Sequence, residues 1–171
     1  MNIKHLVISG GGPNGLVMIK TCMMLIKNKY IDINKIETIF ATSAGAICAL
    51  LIAIIKENDM ISNDLLFSYL INRNYTKDFS LNLDNIFNIN ETKGLNDFNC
   101  IIKFFLPLFH SILLPLDINL HDFYNRFKID IHFFTTKLNT FESIDVNYKS
   151  FPNLKVFDAL SECGAPIRVC A

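Results

Sequence analysis

The apolar residues of the N-terminal third follow two different spacings, one typical of strands and one typical of helices. Ile3–Ser9 and Ile36–Phe40 are short apolar runs of strand length. Leu16–Lys29 has apolar residues at helical spacing, and Ala46–Lys56 predicts an apolar helix. Strand, helix, strand and helix in this order predict a βαβ unit, and therefore an α/β fold with a mainly parallel sheet.

The remainder of the chain has a more helical pattern. It predicts helices at Asn63–Arg73, at Asp97–Leu114 and from Phe157 to Ser161. Phe79–Asn90 is expected to be a loop. Strands are predicted at Lys128–Thr136 and Ile144–Tyr148, with a turn at Leu138–Asn139 between them. No repeat and no linker rich in Pro, Gly or Ser divides the sequence, so residues 1–171 are expected to form one domain.

The longest apolar region is Ile101–Leu116. It is shorter than the roughly 20 residues that cross a bilayer, so no transmembrane helix is predicted. We expect a helix pair that is kinked at Pro107 and ends near Pro115. Because the region is apolar all round, its spacing leaves open whether it lies in the core or against a lipid surface.

Composition narrows the classes of function. The formal net charge is zero, from 16 basic and 16 acidic residues, and no run of Lys or Arg stands out, which argues against a nucleic-acid partner. The five cysteines form no CxxC pair, which argues against zinc and favours reduced thiols. Three glycines follow Met1–Ile8 where a secretory signal needs its apolar core. We therefore expect a cytoplasmic protein without a metal or cofactor.

The clearest chemical signal is the segment 41–45, which reads Ala-Thr-Ser-Ala-Gly between the second strand and the next helix. A nucleophile elbow needs a sharp strand-to-helix turn with small residues two positions either side of the nucleophile. Ala41 and Gly45 meet that demand around Ser43, and the helix N-terminus favours a developing anion there. An ordinary Thr or Ser helix cap is the alternative interpretation.

A second signal follows the first strand, where residues 10–15 read Gly-Gly-Gly-Pro-Asn-Gly. The backbone N–H groups of Gly10, Gly11 and Gly12 can point into one space, as an oxyanion hole requires. Gly15 completes a GxGxxG pattern, which is also typical of dinucleotide-binding domains. That alternative needs an acidic residue at the end of the second strand, whereas Asp32 precedes the strand.

Together, the glycine loop and the serine elbow resemble the arrangement of patatin-like phospholipases. His121–Glu142 is similar to that family's central strand segment, and Asp158–Pro166 is similar to its SCA-x-P turn. The resemblance implies a three-layer α/β/α fold and a Ser–Asp dyad that hydrolyses ester bonds of phospholipids and other lipids. It implies Ser43 as the nucleophile and Gly10–Gly12 as oxyanion donors. The implied substrate is a lipid or phospholipid, and peripheral contact with membranes stays open.

The sequence also departs from this family's pattern. Asn14 stands where the loop often has Arg, and Ala41 replaces the first glycine of the elbow. The turn differs from the usual SCA-x-P at Glu162, Gly164 and Ala165. No Asp-Gly dipeptide occurs in residues 1–171, so the motif that carries the family's catalytic Asp is absent from them.

The missing aspartate affects the expected activity. A serine without its base is a poor nucleophile, and none of the four histidines has a local pattern that marks it as a substitute. We therefore expect a C-terminally truncated patatin-like domain with little or no turnover. The alternatives are a lipid-binding protein that keeps the fold without catalysis and a dinucleotide-binding domain.

Overall fold

The computed structural model describes residues 2–58, 72, 99–137 and 139–164, which have an α/β architecture. In chain order the strands and helices are β1 (His5–Ile8), α1 (Gly15–Lys27), β2 (Thr38–Ala41), α2 (Ala44–Asn58), α3 (Asn99–Ser111), α4 (Leu120–Phe127), β3 (Asp130–Lys137), β4 (Glu142–Val146) and α5 (Val156–Gly164). The predicted order of strand, helix, strand and helix is confirmed. The predicted helix Asn63–Arg73 and loop Phe79–Asn90 lie outside the described residues, apart from residue 72.

The described strands form one sheet in the order β1-β2-β3-β4. β2 pairs in parallel with both β1 and β3, and β4 is antiparallel to β3. The predicted α/β fold with a mainly parallel sheet is therefore confirmed. Because β1 and β2 are parallel neighbours, the residues that follow their carboxyl ends meet at one edge of the sheet.

The central core is built around α2. Residues 48–55 of this helix are all buried, as expected for a helix that is apolar on every side. It packs against β1 and β2 and against α1, α4 and α5. On the sheet, Ile8 and Phe133 are buried on one face, whereas Val7 on the opposite face is 83% exposed.

The expected helix pair around Pro107 is wrong, because α3 continues through this residue to Ser111. Proline removes one backbone hydrogen bond at a cost of about 3 kcal/mol. Against that cost, Phe104, Phe105 and Phe109 are each 0% exposed, and burying each contributes about 1.5–3 kcal/mol. Pro107 itself lies on the solvent side of the helix. The same burial shows that α3 packs into the protein core.

The fourth strand begins and ends two residues earlier than the expected Ile144–Tyr148. The Asn147 side chain accepts hydrogen bonds from the backbone N–H groups of Lys149 and Ser150, at 2.9 and 3.1 Å. An asparagine bonded in this way starts a turn, so the strand ends before it. Tyr148 then stacks on Tyr124 of α4, with ring centroids 3.7 Å apart.

Candidate active site

Ser43 lies between the end of β2 at Ala41 and the start of α2 at Ala44. Its φ is 51°, in the left-handed region that side chains with a Cβ rarely adopt. An ordinary N-cap residue has extended backbone angles, so this geometry differs from a simple Ser cap. The sharp strand-to-helix turn is the backbone form that a nucleophile elbow requires.

Small residues beside Ser43 are required by the close approach of strand and helix. A Cβ on Gly45 would lie 2.3 Å from the carbonyl oxygen of Ile8, so only glycine fits there. Ala41 is 2% exposed and pairs with Ile8 in the sheet. The need for glycine at position 45 therefore has a direct cause in the packing of β1 against α2.

The glycine loop lies next to the elbow. A Cβ on Gly10 would lie 3.1 Å from the Cβ of Ser43, and a Cβ on Gly15 would lie 2.3 Å from that of Ala44. Gly12 has a φ of 48° and opens the short 3-10 turn that leads into α1. The Gly11 carbonyl accepts a hydrogen bond from Asn14 N–H at 2.9 Å. The structure thus brings the two sequence motifs together.

The C-terminal end of α5 also reaches the elbow, a contact that was not predicted from the sequence. The backbone N–H of Ser43 donates to the carbonyl oxygen of Cys163 at 3.2 Å and lies 3.3 Å from its Sγ. The Cys163 thiol donates to the carbonyl of Phe134 at 3.1 Å, and the Thr42 hydroxyl donates to the same oxygen at 3.2 Å. Burial raises the pKa of the Cys163 thiol, which keeps it protonated at neutral pH. The resemblance of Asp158–Pro166 to a family turn was the only available hint.

His132 of β3 is paired with two acidic side chains. His132 Nδ1 lies 2.8 Å from a carboxylate oxygen of Asp145, and its Nε2 lies 3.4 Å from Asp130. In the sheet His132 stands opposite Phe40, three residues before Ser43, which is roughly 10 Å along the strand. The remaining histidines are exposed to solvent: His5, His110 and His121. The two ring nitrogens of His132 thus face carboxylates of Asp145 and Asp130.

The dinucleotide alternative lacks its diagnostic acidic residue. Asp32 caps the 3-10 turn before β2 by accepting a hydrogen bond from Asn34 N–H at 3.2 Å. It also lies 3.3 Å from the ammonium group of Lys35. The carboxyl end of β2 is instead followed by Thr42 and Ser43. Within the described ranges, no three His, Cys, Asp or Glu side chains cluster as metal ligands.

Comparison with protein-family models matches most of the chain, including the elbow and the glycine loop. A model of the family described as patatin-like phospholipase matches residues 6–165 of the chain. A search of curated proteins finds no match. Of the helices that the structure describes, none has the length and hydropathy needed to cross a bilayer.

Two examples illustrate the match to solved structures. One is ExoU of Pseudomonas aeruginosa in complex with SpcU, from a type III secretion system, with a TM-score of 0.52 and 16% identity over 99% of this chain and 39% of that chain. VipD of Legionella pneumophila has a TM-score of 0.44 and 14% identity over 94% of this chain and 42% of that chain. The chain therefore spans about two fifths of the length of these structures. The likeness to ExoU shows the fold.

Proposed function

Because the chain belongs to the patatin-like phospholipase family, we propose that it forms the N-terminal part of a serine acyl hydrolase domain acting on lipid or phospholipid esters. The observation that carries this proposal is the position of Ser43. It has a left-handed backbone between β2 and α2, and Gly10 lies against it. Contact with membranes is peripheral in this proposal, and catalysis uses no metal or cofactor.

The proposed reaction begins at the Ser43 hydroxyl. Its oxygen attacks the ester carbonyl, and a tetrahedral intermediate with a negatively charged oxygen forms. The N–H of Ser43 already donates to Cys163, so the oxyanion donors come from the loop Gly10–Gly12. The N-terminus of α2 adds a favourable dipole beside the developing charge. Removing one such donor typically costs about 10²–10³ in rate.

The proton of Ser43 needs an acceptor. The family resemblance assigns this role to an Asp in an Asp-Gly motif, and residues 1–171 contain no such dipeptide. Asp145 is paired with His132, and Asp158 lies in the first turn of α5, roughly 7.5 Å along the helix from Cys163. We therefore propose that residues 1–171 alone have little or no turnover. A catalytically inactive lipid-binding protein is the second candidate, and an Asp-Gly motif in the full-length protein would separate the two.

Three proteins assayed on one short-chain p-nitrophenyl ester test this proposal. They are residues 1–171, an extended protein carrying a family-like Asp-Gly segment, and the extended protein with Ser43→Ala. We expect turnover only in the second. Undiminished turnover after Ser43→Ala would remove Ser43 as the nucleophile. Binding of all three to phosphatidylcholine vesicles without any turnover would favour the second candidate.

A further inference from the structure

The left-handed backbone of Ser43 must be held by its surroundings. A residue with a Cβ is unfavourable in this conformation and stays there only where neighbouring contacts fix it. The β1 side contributes one backbone bond, from Thr42 N–H to the Ile8 carbonyl at 3.3 Å. The opposite side of the elbow is bonded to α5 and β3. Cys163 is bonded both to the elbow and to β3.

The Cys163 thiol can act as an acceptor and a donor at once. Its sulfur lies 3.3 Å from Ser43 N, while its S–H donates to the Phe134 carbonyl at 3.1 Å. It thereby links the end of β3 to the backbone of the elbow. The side chain is well shielded, since Cys163 is 7% exposed. A second anchor lies beside it, where the Thr135 hydroxyl donates to the Glu162 carbonyl at 2.8 Å.

We propose that Cys163 is a positioning residue whose thiol holds the Ser43 backbone in its left-handed conformation. Its effect on catalysis rests on the proposed function, because it acts through the Ser43 hydroxyl. Its effect on the elbow geometry does not depend on that function. The two parts can therefore be measured separately.

Amide hydrogen exchange tests the geometric part on residues 1–171 without any need for turnover. In Cys163→Ala we expect the Ser43 amide to exchange about 10-fold faster, because the thiol no longer shares this N–H and only the carbonyl of residue 163 still accepts it. In Cys163→Ser exchange should stay near the wild-type rate, since a hydroxyl also accepts and donates. Alanine and serine are similar in size, so a role in packing alone predicts no advantage for serine. Cys48→Ala, at another buried cysteine, is the matched control and should leave Ser43 unchanged.

The catalytic part is measured in the extended protein on the same p-nitrophenyl ester. Cys163→Ala should lower kcat roughly 10- to 100-fold with little change in KM, as a misplaced nucleophile does. Cys163→Ser should restore most of it. Unchanged Ser43 exchange in Cys163→Ala, or equal values for Ala and Ser, would overturn the proposal. Absence of Ser43-dependent turnover would instead overturn the proposed function while exchange still decides the geometry. If the amides of α2 in general exchange faster in Cys163→Ala, the comparison uses Cys163→Val instead. Valine fills the volume of the cysteine side chain but can neither donate nor accept a hydrogen bond.

Discussion

Gly15 and Ala44 face each other at the starts of α1 and α2, and a Cβ on Gly15 would lie 2.3 Å from the Cβ of Ala44. No heavy atoms approach so closely without a covalent bond, so Gly15→Ala must push the two helices apart. We expect it to lower the free energy of unfolding by about 1–3 kcal/mol, as overpacking does. Urea unfolding followed by circular dichroism measures the loss.

A second substitution identifies the clash as the cause. Ala44→Gly removes the opposing methyl group and should recover most of the loss in the double variant, giving a coupling of about 0.5–3 kcal/mol. Gly12→Ala is the control, because nothing lies within 4 Å of its added Cβ. Its positive φ still carries a penalty, but that penalty should not respond to Ala44→Gly. Strict additivity of Gly15→Ala and Ala44→Gly would contradict the packing that the structure describes.

Arg126 of α4 is expected to stabilise the fold more than a typical surface ion pair. Its Nε lies 2.8 Å from Glu57 of α2, and its guanidinium group also donates to the carbonyls of Ile112 and Leu113. Arg126→Lys keeps the charge but cannot reach all of these acceptors. We expect a loss of about 1–2 kcal/mol in urea unfolding. Lys4→Met, which removes the exposed ion pair with Glu37, should cost less than Arg126→Lys because solvent screens that pair.

The start of α4 depends on its cap. The Asn119 side chain accepts a hydrogen bond from Asp122 N–H at 2.8 Å. Asn119→Ala leaves that donor without its acceptor. It should lower the free energy of unfolding, measured by thermal denaturation, by about 1 kcal/mol. Asn119→Ser retains an acceptor at the helix N-terminus and should be close to neutral. Equal losses in both variants would show that the cap contributes little.

Alkaline pH should destabilise the protein through the buried thiol of Cys163. Burial raises the pKa of Cys163 in the folded state, so the unfolded chain loses this proton first. Below the ordinary thiol pKa of about 8.5 both states are protonated and the full stability is present; as the pH rises toward the higher folded value, that stability is lost. The contribution is at most about 1.4 kcal/mol per pH unit. Cys163→Ser should therefore show a smaller fall in unfolding free energy between pH 7.5 and pH 9.5 (roughly one unit either side of the ordinary pKa). Ser161→Ala on the same helix does not titrate and should leave the slope unchanged.

Val7 is predicted to promote self-association. It is 83% exposed on β1, which is an edge strand of the described sheet. Exposed apolar residues on a strand edge favour pairing between chains. Val7→Lys should raise the concentration at which light scattering detects association, with little change in the unfolding midpoint. Asn28→Lys adds the same charge at the end of α1 and should have no such effect.

Much of the N-terminal fold could be predicted because its signals are local. β1 and β2 are apolar runs bounded by glycine or by polar residues, and the observed ends of α1 and α2 differ from the predicted ones by about two residues. The packing that brings Gly10 to Ser43 followed from the parallel order of the two strands. The sequence could not predict the bonds of Cys163 or the path of the helix through Pro107. Both depend on which distant side chains bury them, and spacing along the chain carries no information about that.

The bond between Ser43 and Cys163 joins positions 120 residues apart. A ribosome adding about 5–20 residues per second needs roughly 6–24 s to travel that distance. During that interval the serine and its glycine loop have already been synthesised, yet the segment that braces them does not exist. Contacts between such remote positions also form slowly, because a long loop must close before they contribute. A nascent chain therefore carries Ser43 without its contacts to α5, and the bonds to Cys163 can form only after residue 163 has been added.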